Sequence, residues 1–346
     1  MLLIPIIFLR DIYKAIGQDE EVAAYAVKYV WTVAPGVYFF MMSMAAAGCA
    51  TSMKYTSAAL WMTGIASLIH IGLVPLFVNY FDWGFEGVAI ATSLHLFFRF
   101  VVSQIYLRVV IQELWVFDDV SFFSKETFEN LGYQFKLGMM SMFMGLWGWW
   151  AFDIFTLICS YLAVEVISAQ TVMRSLGLLT FMIPVGVATA SSILIGQNIG
   201  SDNIKAIKHY YRVCMFCAAF LGMAQIMILV PARDFIIQIF TAEAAVVEQM
   251  QLAWAVFMIF VFFDTTQGVA MSCIQASGLQ KYGAIITALA YFVIGIPATL
   301  VFVFKYDFGI RGIWMGPTIA VAFLTTTYMI IFSNIDWVSL IQKSRE

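Results

Sequence analysis

Nine stretches of this sequence stay apolar for about twenty residues or longer, near 22–50, 56–79, 86–110, 135–162, 166–196, 206–230, 248–275, 283–305 and 310–333. An α-helix needs about 20 consecutive apolar residues to cross the hydrocarbon core of a bilayer. Backbone N–H and C=O groups find no water there, so each crossing segment must satisfy its own hydrogen bonds as a helix. The chain is therefore expected to be an all-α polytopic membrane protein with nine full transmembrane helices. Residues 1–9 are apolar but too short to span, and they read as the tail of one further, partial helix. Pro35, Pro75, Pro184, Pro297 and Pro317 fall inside the spans, where each removes a backbone hydrogen bond and permits a kink.

Composition closes off other classes. The chain is 62% hydrophobic and 11% charged, with a mean hydropathy of +0.90; a soluble domain is about 45–50% apolar and about 25% charged. A net charge of −3 gives no footing for nucleic acid. Three His and five scattered Cys make neither a metal framework nor a disulfide scaffold. Cys214 and Cys217 sit in an apolar run and read as helix packing. The loops are short and carry no nucleophile–base pair or phosphate cradle, so no enzyme, cofactor or metal is expected. Residues 2–9 lack a basic start and a small-residue cleavage site, so no cleavable signal peptide is expected.

Loop charge orients the chain. Lys54, Arg108, Lys125, Lys136, Lys205, Lys208, Arg212, Lys281, Lys343 and Arg345 fall at one set of ends; Arg10, Lys14, Lys28, Arg233, Lys305 and Arg311 fall at the other. The richer set places the C-terminus and the loop after residue 110 in the cytoplasm. Within 112–134, Phe128, Leu131 and Phe135 recur at helical spacing among Lys125, Glu126 and Glu129, the pattern of an amphipathic interfacial linker.

The chain also repeats itself. Phe81-Asp82-Trp83-Gly84-Phe85-Glu86-Gly87 returns as Tyr306-Asp307-Phe308-Gly309-Ile310-Arg311-Gly312, an offset of 225 residues, and Phe77-Val78 and Phe302-Val303 share that offset. The shift is six helices, which gives two like halves in parallel orientation. The second half starts near residue 134, so the first half is expected to be short of about 90 residues at its start.

Two acids fall well inside spans. A carboxylate at mid-bilayer costs about 2.5–3.5 kcal/mol and is a functional candidate by default. Asp264 lies near the midplane of its helix; with no basic residue nearby, burial favours its neutral form and would let it load and release a proton. The other reading makes it helix glue bonded to Thr265, Thr266 or Gln267. Asp153, roughly 14 Å deep, lies at the depth of Arg174 across a tight turn, so it either binds a cation or serves as the partner of Arg174. Arg99 is expected to snorkel along its own helix. Trp147, Trp149, Trp150 and Phe152 precede Asp153, and Phe262 and Phe263 precede Asp264; acid plus aromatic faces suits an organic cation.

Several motifs in order resemble the multidrug and toxic compound extrusion (MATE) transporters of the eukaryotic type. WWAFD at 149–153 resembles the family's E-W-W-A-[FY]-E stretch. FMIPVG at 181–186 and IGQNIGSDN at 195–203 resemble M-[IV]-P-x-G followed by V-[GS]-N-x-L-G-A-G-N. FFDTTQGVAMSCIQASGLQKYGA at 262–284 is similar to the tenth-helix motif, YFVIGIPATLVF at 291–302 to Y-Y-V-I-G-[LI]-P, and GQDEEVAAYAVKYVWTVAPG at 17–36 to the link into the fourth helix. Gly148 stands where the family's first acid would be, Gln275 replaces an arginine, and Arg174 is added beside Ser175.

The resemblance implies a fold of two pseudo-symmetric helical lobes, the first incomplete. Residues 1–111 would be a partial first lobe, from the end of a third helix through a sixth; 112–134 the cytoplasmic linker; 135–333 a complete second lobe of six helices; and 334–346 a cytoplasmic tail. It implies an antiporter that exports organic cations, xenobiotics or metabolites in exchange for protons rather than sodium. Asp264 and Asp153 would be the proton- and cation-binding residues. Trp147, Trp150, Gln170, Arg174, Phe263, Gln267 and Tyr291 are the candidates for lining its cavity. The expected partners are the cargo, protons and the bilayer, for a monomer in the plasma membrane or a vacuolar membrane. A lipid-linked carrier flippase of the same architecture, or a transport-inactive form, are the alternatives.

Overall fold

The computed structural model describes residues 8, 10–11, 20–112 and 128–343. Most of the apolar start at 1–9 and of the linker expected at 112–134 lies outside the described residues. Contacts divide the chain into two compact units, residues 1–128 and 129–346.

In the first unit, α1 (Glu20–Ser52), α2 (Ala58–Tyr80) and α3 (Gly84–Val110) are long and apolar enough to cross a membrane. The second unit begins with α4 (Leu131–Cys159), then α5 (Val164–Met182) and α6 (Val185–Gly200). It continues with α7 (Ile204–Leu229), the short α8 (Arg233–Phe240) and α9 (Ala244–Ala276). α10 (Gln280–Lys305), α11 (Gly309–Ser333) and α12 (Trp337–Lys343) complete it. Among the described residues, eight helices pass as spans, and the pair α5–α6, bent by 41°, supplies a ninth crossing. The bend sits at Ile183-Pro184: the proline ring disfavours helical backbone at the residue before it and removes one bond from the ladder.

Much of the apolar surface points outward. Leu60, Leu68 and Ile71 of α2 and Phe216, Phe220 and Met227 of α7 are exposed, as expected where the solvent is lipid. The core is concentrated on α9 and α11, which pack against each other along most of their length. Small residues make that fit. Gly312, Gly316 and Ala320 recur every fourth residue on α11 and meet Phe302, Thr299 and Gly295 of α10. Rows of this kind let membrane helices approach to backbone contact. The C-terminal residues are not a free tail: Trp337 and Ile341 of α12 are buried, and Trp337 packs on Phe332, which stacks on Tyr211 of α7. Between the spans, Asp234 is tied to Arg233 at 2.9 Å and accepts from Gln251 of α9 at 3.0 Å, and the guanidinium holds its carboxyl below the ordinary value.

The 225-residue repeat is a repeat of shape. α2 and α10 both end in a π-helical turn, Leu76–Tyr80 and Val301–Lys305. These turns are closed by Phe81 N–H to Leu76 O at 3.0 Å and Tyr306 N–H to Val301 O at 3.2 Å. Asp82 and Asp307 take φ of 54° and 55°, and Gly84 and Gly309 take 50° and 51°. Aspartate and glycine are the residues that tolerate this left-handed backbone. Trp83 N–H then reaches back to Phe77 O at 3.1 Å and Phe308 N–H to Phe302 O at 3.0 Å, with the matching rings stacked. A Cβ on Gly87 or Gly312 would lie 3.0 Å from the backbone of Phe77 or Phe302, so glycine closes both loops. The sixth position differs in charge but anchors each unit alike: Glu86 pairs with Lys28 of α1, and Arg311 Nε donates to Leu252 O of α9 at 3.0 Å.

Candidate functional site

A cavity of about 180 Å³ lies inside the second unit. For scale, a dry cavity of roughly 150 Å³ takes up a benzene-sized molecule. One stripe from each of three helices lines it: Gly145, Gly148, Trp149 and Phe152 of α4; Arg174, Gly177, Leu178 and Phe181 of α5; Phe260, Asp264, Gln267 and Met271 of α9. Each set follows the three- and four-residue spacing of a single helical face. Thr287 and Tyr291 of α10 and Trp314 of α11 close it.

Missing side chains create the space. Nothing lies within 4 Å of a Cβ built on Gly145, and one on Gly148 would touch only the Tyr291 ring, at 3.5 Å. The walls are aromatic and interlocked. Trp314 meets Phe257 and Phe260 edge-on at 4.8 and 5.1 Å, and Phe152 meets Phe260 edge-on at 5.7 Å. Tyr291 stands in a π-helical stretch of α10, Leu289–Gly295, just before Pro297. The wider turn accommodates a proline that can neither donate its N–H nor fit its ring against the carbonyl four residues earlier.

Asp264 is half-buried on this wall, and its carboxyl makes no hydrogen bond or ion pair among the described residues. The three polar neighbours that could have made it helix glue are engaged elsewhere. Thr265 accepts from Gln225 Nε2 at 3.1 Å, Thr266 donates to the carbonyls of Phe262 and Phe263, and Gln267 Nε2 turns to the Met271 sulfur at 3.5 Å. An acid facing a cavity of aromatic rings, free of a fixed cation, is arranged to hold either a proton or a cationic ligand.

Arg174, Gln267 and Tyr291 line the cavity with Asp264; Asp153, Trp147, Trp150, Gln170 and Phe263 do not. Successive helical residues are turned by roughly 100°, so Asp153, one step past Phe152, points away. Its carboxylate pairs with Arg174 Nη2 at 2.7 Å, and its side chain is 62% exposed. Trp147 faces Phe143 and Phe292 on the other side of α4, and Trp150 packs edge-on against it. Gln170 has the right face of α5 but lies one turn too early, buried at 1% exposure. Phe263 precedes Asp264 and stacks edge-on with Phe262. The lining residues absent from the sequence reading, such as Gly148, Phe181, Phe260 and Met271, were reachable by stepping three and four residues from Asp264 and Arg174.

The Asp153–Arg174 pair yields a first prediction. Asp153→Ala leaves a guanidinium without its partner beside an apolar wall. It is expected to lower the melting temperature in detergent by more than the added loss of Arg174→Met accounts for, with a coupling in the double-mutant cycle of about 1 kcal/mol or more. Strictly additive losses would show the contact to be energetically idle.

The fold and site define a class: multi-pass helical membrane proteins whose second half encloses an acid-bearing, aromatic cavity. A family model described as MatE matches residues 1–76 and 141–301, and the chain belongs to that family. It is 24% identical over 287 residues to multidrug and toxin extrusion protein 1 of Oryctolagus cuniculus, covering 82% of this chain and 50% of that protein. It is 27% identical over 278 residues to the Xenopus tropicalis protein of the same name, covering 80% and 48%. The chain thus spans about half the length of the curated relatives it matches. The crystal structure of the eukaryotic MATE transporter AtDTX14 superposes with a TM-score of 0.89 at 23% identity, over 98% of this chain and 75% of that one.

Proposed function

We propose that the protein is a secondary antiporter that exports organic cations or related metabolites in exchange for protons by alternating access. The observation that carries this reading is Asp264, an acid without a fixed partner on the wall of an aromatic cavity. The names of the relatives, multidrug and toxin extrusion proteins, support it. A proton on Asp264 neutralises the wall and weakens its hold on a cation. A cation on Asp264 excludes the proton. When one proton exchanges for one monovalent cation no net charge moves, and each pH unit of gradient supplies about 1.4 kcal/mol. We assign residues 1–111 and 135–333 to the two lobes and 112–134 to a cytoplasmic linker. The protein acts as a monomer, in the plasma membrane or a vacuolar membrane, with its C-terminus in the cytoplasm.

The test is transport of a fluorescent organic cation by the purified protein in proteoliposomes under an imposed pH gradient. Counterflow that follows the gradient and stops when an ionophore collapses it is the expected result. Cation movement indifferent to the gradient would remove proton coupling. Movement of an anionic lipid-linked precursor without cation movement would favour the flippase.

A further inference from the structure

We propose that the cavity selects amphoteric cargo: a compact, ring-sized molecule with a cationic centre for Asp264 and a carboxylate or similar acidic group for Arg174. The inference rests on the antiporter reading and names the substrate class of that same site. Its basis is that the cavity wall carries one charge of each sign. Asp264 sits on α9 and Arg174 on α5, and both line the cavity, whereas Asp153, which pairs with Arg174, does not.

The pairing leaves most of the guanidinium unused. Asp153 engages Nη2 alone, at 2.7 Å, and the other guanidinium nitrogens carry no hydrogen bond among the described residues. Guanidinium offers five N–H donors in a planar fork suited to carboxylate. Asp153 is the more exposed member of the pair, 62% against 26% for Arg174, so it anchors the arginine from outside while the fork faces in. No other charged side chain lines the space.

Electrostatics then ranks the cargoes. A plain cation gains from Asp264 but is repelled by Arg174, whose charge Asp153 only partly offsets. A plain anion meets the reverse. A molecule bearing both signs pairs with both walls and leaves no uncompensated charge in a low-dielectric space. The volume, near 180 Å³, matches one substituted aromatic ring, and the faces of Phe152, Phe181 and Phe260 suit a flat ring between the two charges.

This has a consequence for coupling. An amphoteric molecule is neutral overall, so its exchange for one proton moves one net charge, unlike exchange of a plain cation. Its export is then accelerated by an inside-negative potential.

A matched pair of probes tests this: 1-methylpyridinium and 1-methylpyridinium-3-carboxylate, in proteoliposomes of the wild-type protein with pH and potassium-diffusion gradients set independently. The expected result is at least a tenfold preference in kcat/KM for the carboxylate-bearing probe, with severalfold acceleration of its export at inside-negative potential. Arg174→Gln should bring the preference to about onefold, and Arg174→Lys should restore part of it. Equal handling of the two probes, a preference for the plain cation, or a preference that survives Arg174→Gln would overturn the inference and leave the antiporter reading standing. Transport of neither probe by wild-type protein would overturn both. The potential dependence needs no variant and decides the matter even where Arg174→Gln fails to fold.

Discussion

Gly316→Leu is expected to prevent assembly of the second unit. A Cβ alone at this position would fall 1.8 Å from Thr299 Oγ1 and 2.5 Å from Gly295 O, against a floor near 3.0 Å for real contacts. The Thr299 side chain is fully buried and has no other rotamer space to enter without displacing α10, and the Gly295 carbonyl is backbone. Relief therefore requires α10 and α11 to part, which breaks the row in which Gly312 meets Phe302 and Gly295 meets Ala320. Overpacking of this kind costs about 1–3 kcal/mol where side chains can yield and more where backbone must move. We expect a loss of about 3 kcal/mol or more, seen as collapse of the monodisperse peak on size exclusion and of the thermal transition in detergent. Gly138→Ala on α4, where a Cβ meets nothing within 4 Å, is the control and should be neutral or mildly stabilising. Equal losses from both substitutions would show that the close approach of α10 and α11 does not govern stability.

Asp264→Asn is expected to abolish gradient-driven export while leaving the fold intact. The substitution keeps the shape of the side chain and breaks no hydrogen bond or ion pair, because the carboxyl makes none among the described residues. It also removes the cost of holding a charge in an apolar wall, so the melting temperature should hold or rise. The charge is what the cargo and the proton share. Cation affinity should fall by about tenfold to a hundredfold, a change of about 1.4–2.8 kcal/mol, and transport should lose its response to a pH gradient. A variant that exports at the wild-type rate under the same gradient would exclude Asp264 as the coupling residue.

These expectations depend on features that differ in how far they can be read from sequence. The spans were legible because twenty apolar residues in a row have one stable solution in a bilayer. The break in the fifth of them, at Pro184, needed the structure, since Pro35 and Pro317 lie inside helices that continue through them. The repeat at 81–87 and 306–312 was legible as letters. Its meaning, a π-helical turn running into a left-handed Asp, was not, because φ is fixed by the loop as a whole. Gly312, Gly316 and Ala320 stand four apart in the sequence, but their partners Thr299 and Gly295 emerge only when α10 and α11 are packed.

The site divides in the same way. Asp264 stood out because an unpaired acid in a span is costly, and Gln267 follows it on one helical face. Trp147, Trp150 and Asp153 were grouped by nearness along the chain, and helical phase then turned them to other faces. Gly148 was visible as a departure from a family pattern, and packing shows that its lack of a side chain opens the cavity toward Tyr291.

The most direct test of the central claim is to count protons as cargo binds. Purified protein in weakly buffered detergent, near neutral pH and with a pH-sensitive dye, is titrated with an organic cation. The account predicts release of one proton for each cation bound by the wild-type protein and none on binding to Asp264→Asn. Binding of the cation by the wild-type protein with no proton released, or release that persists undiminished in Asp264→Asn, would contradict it.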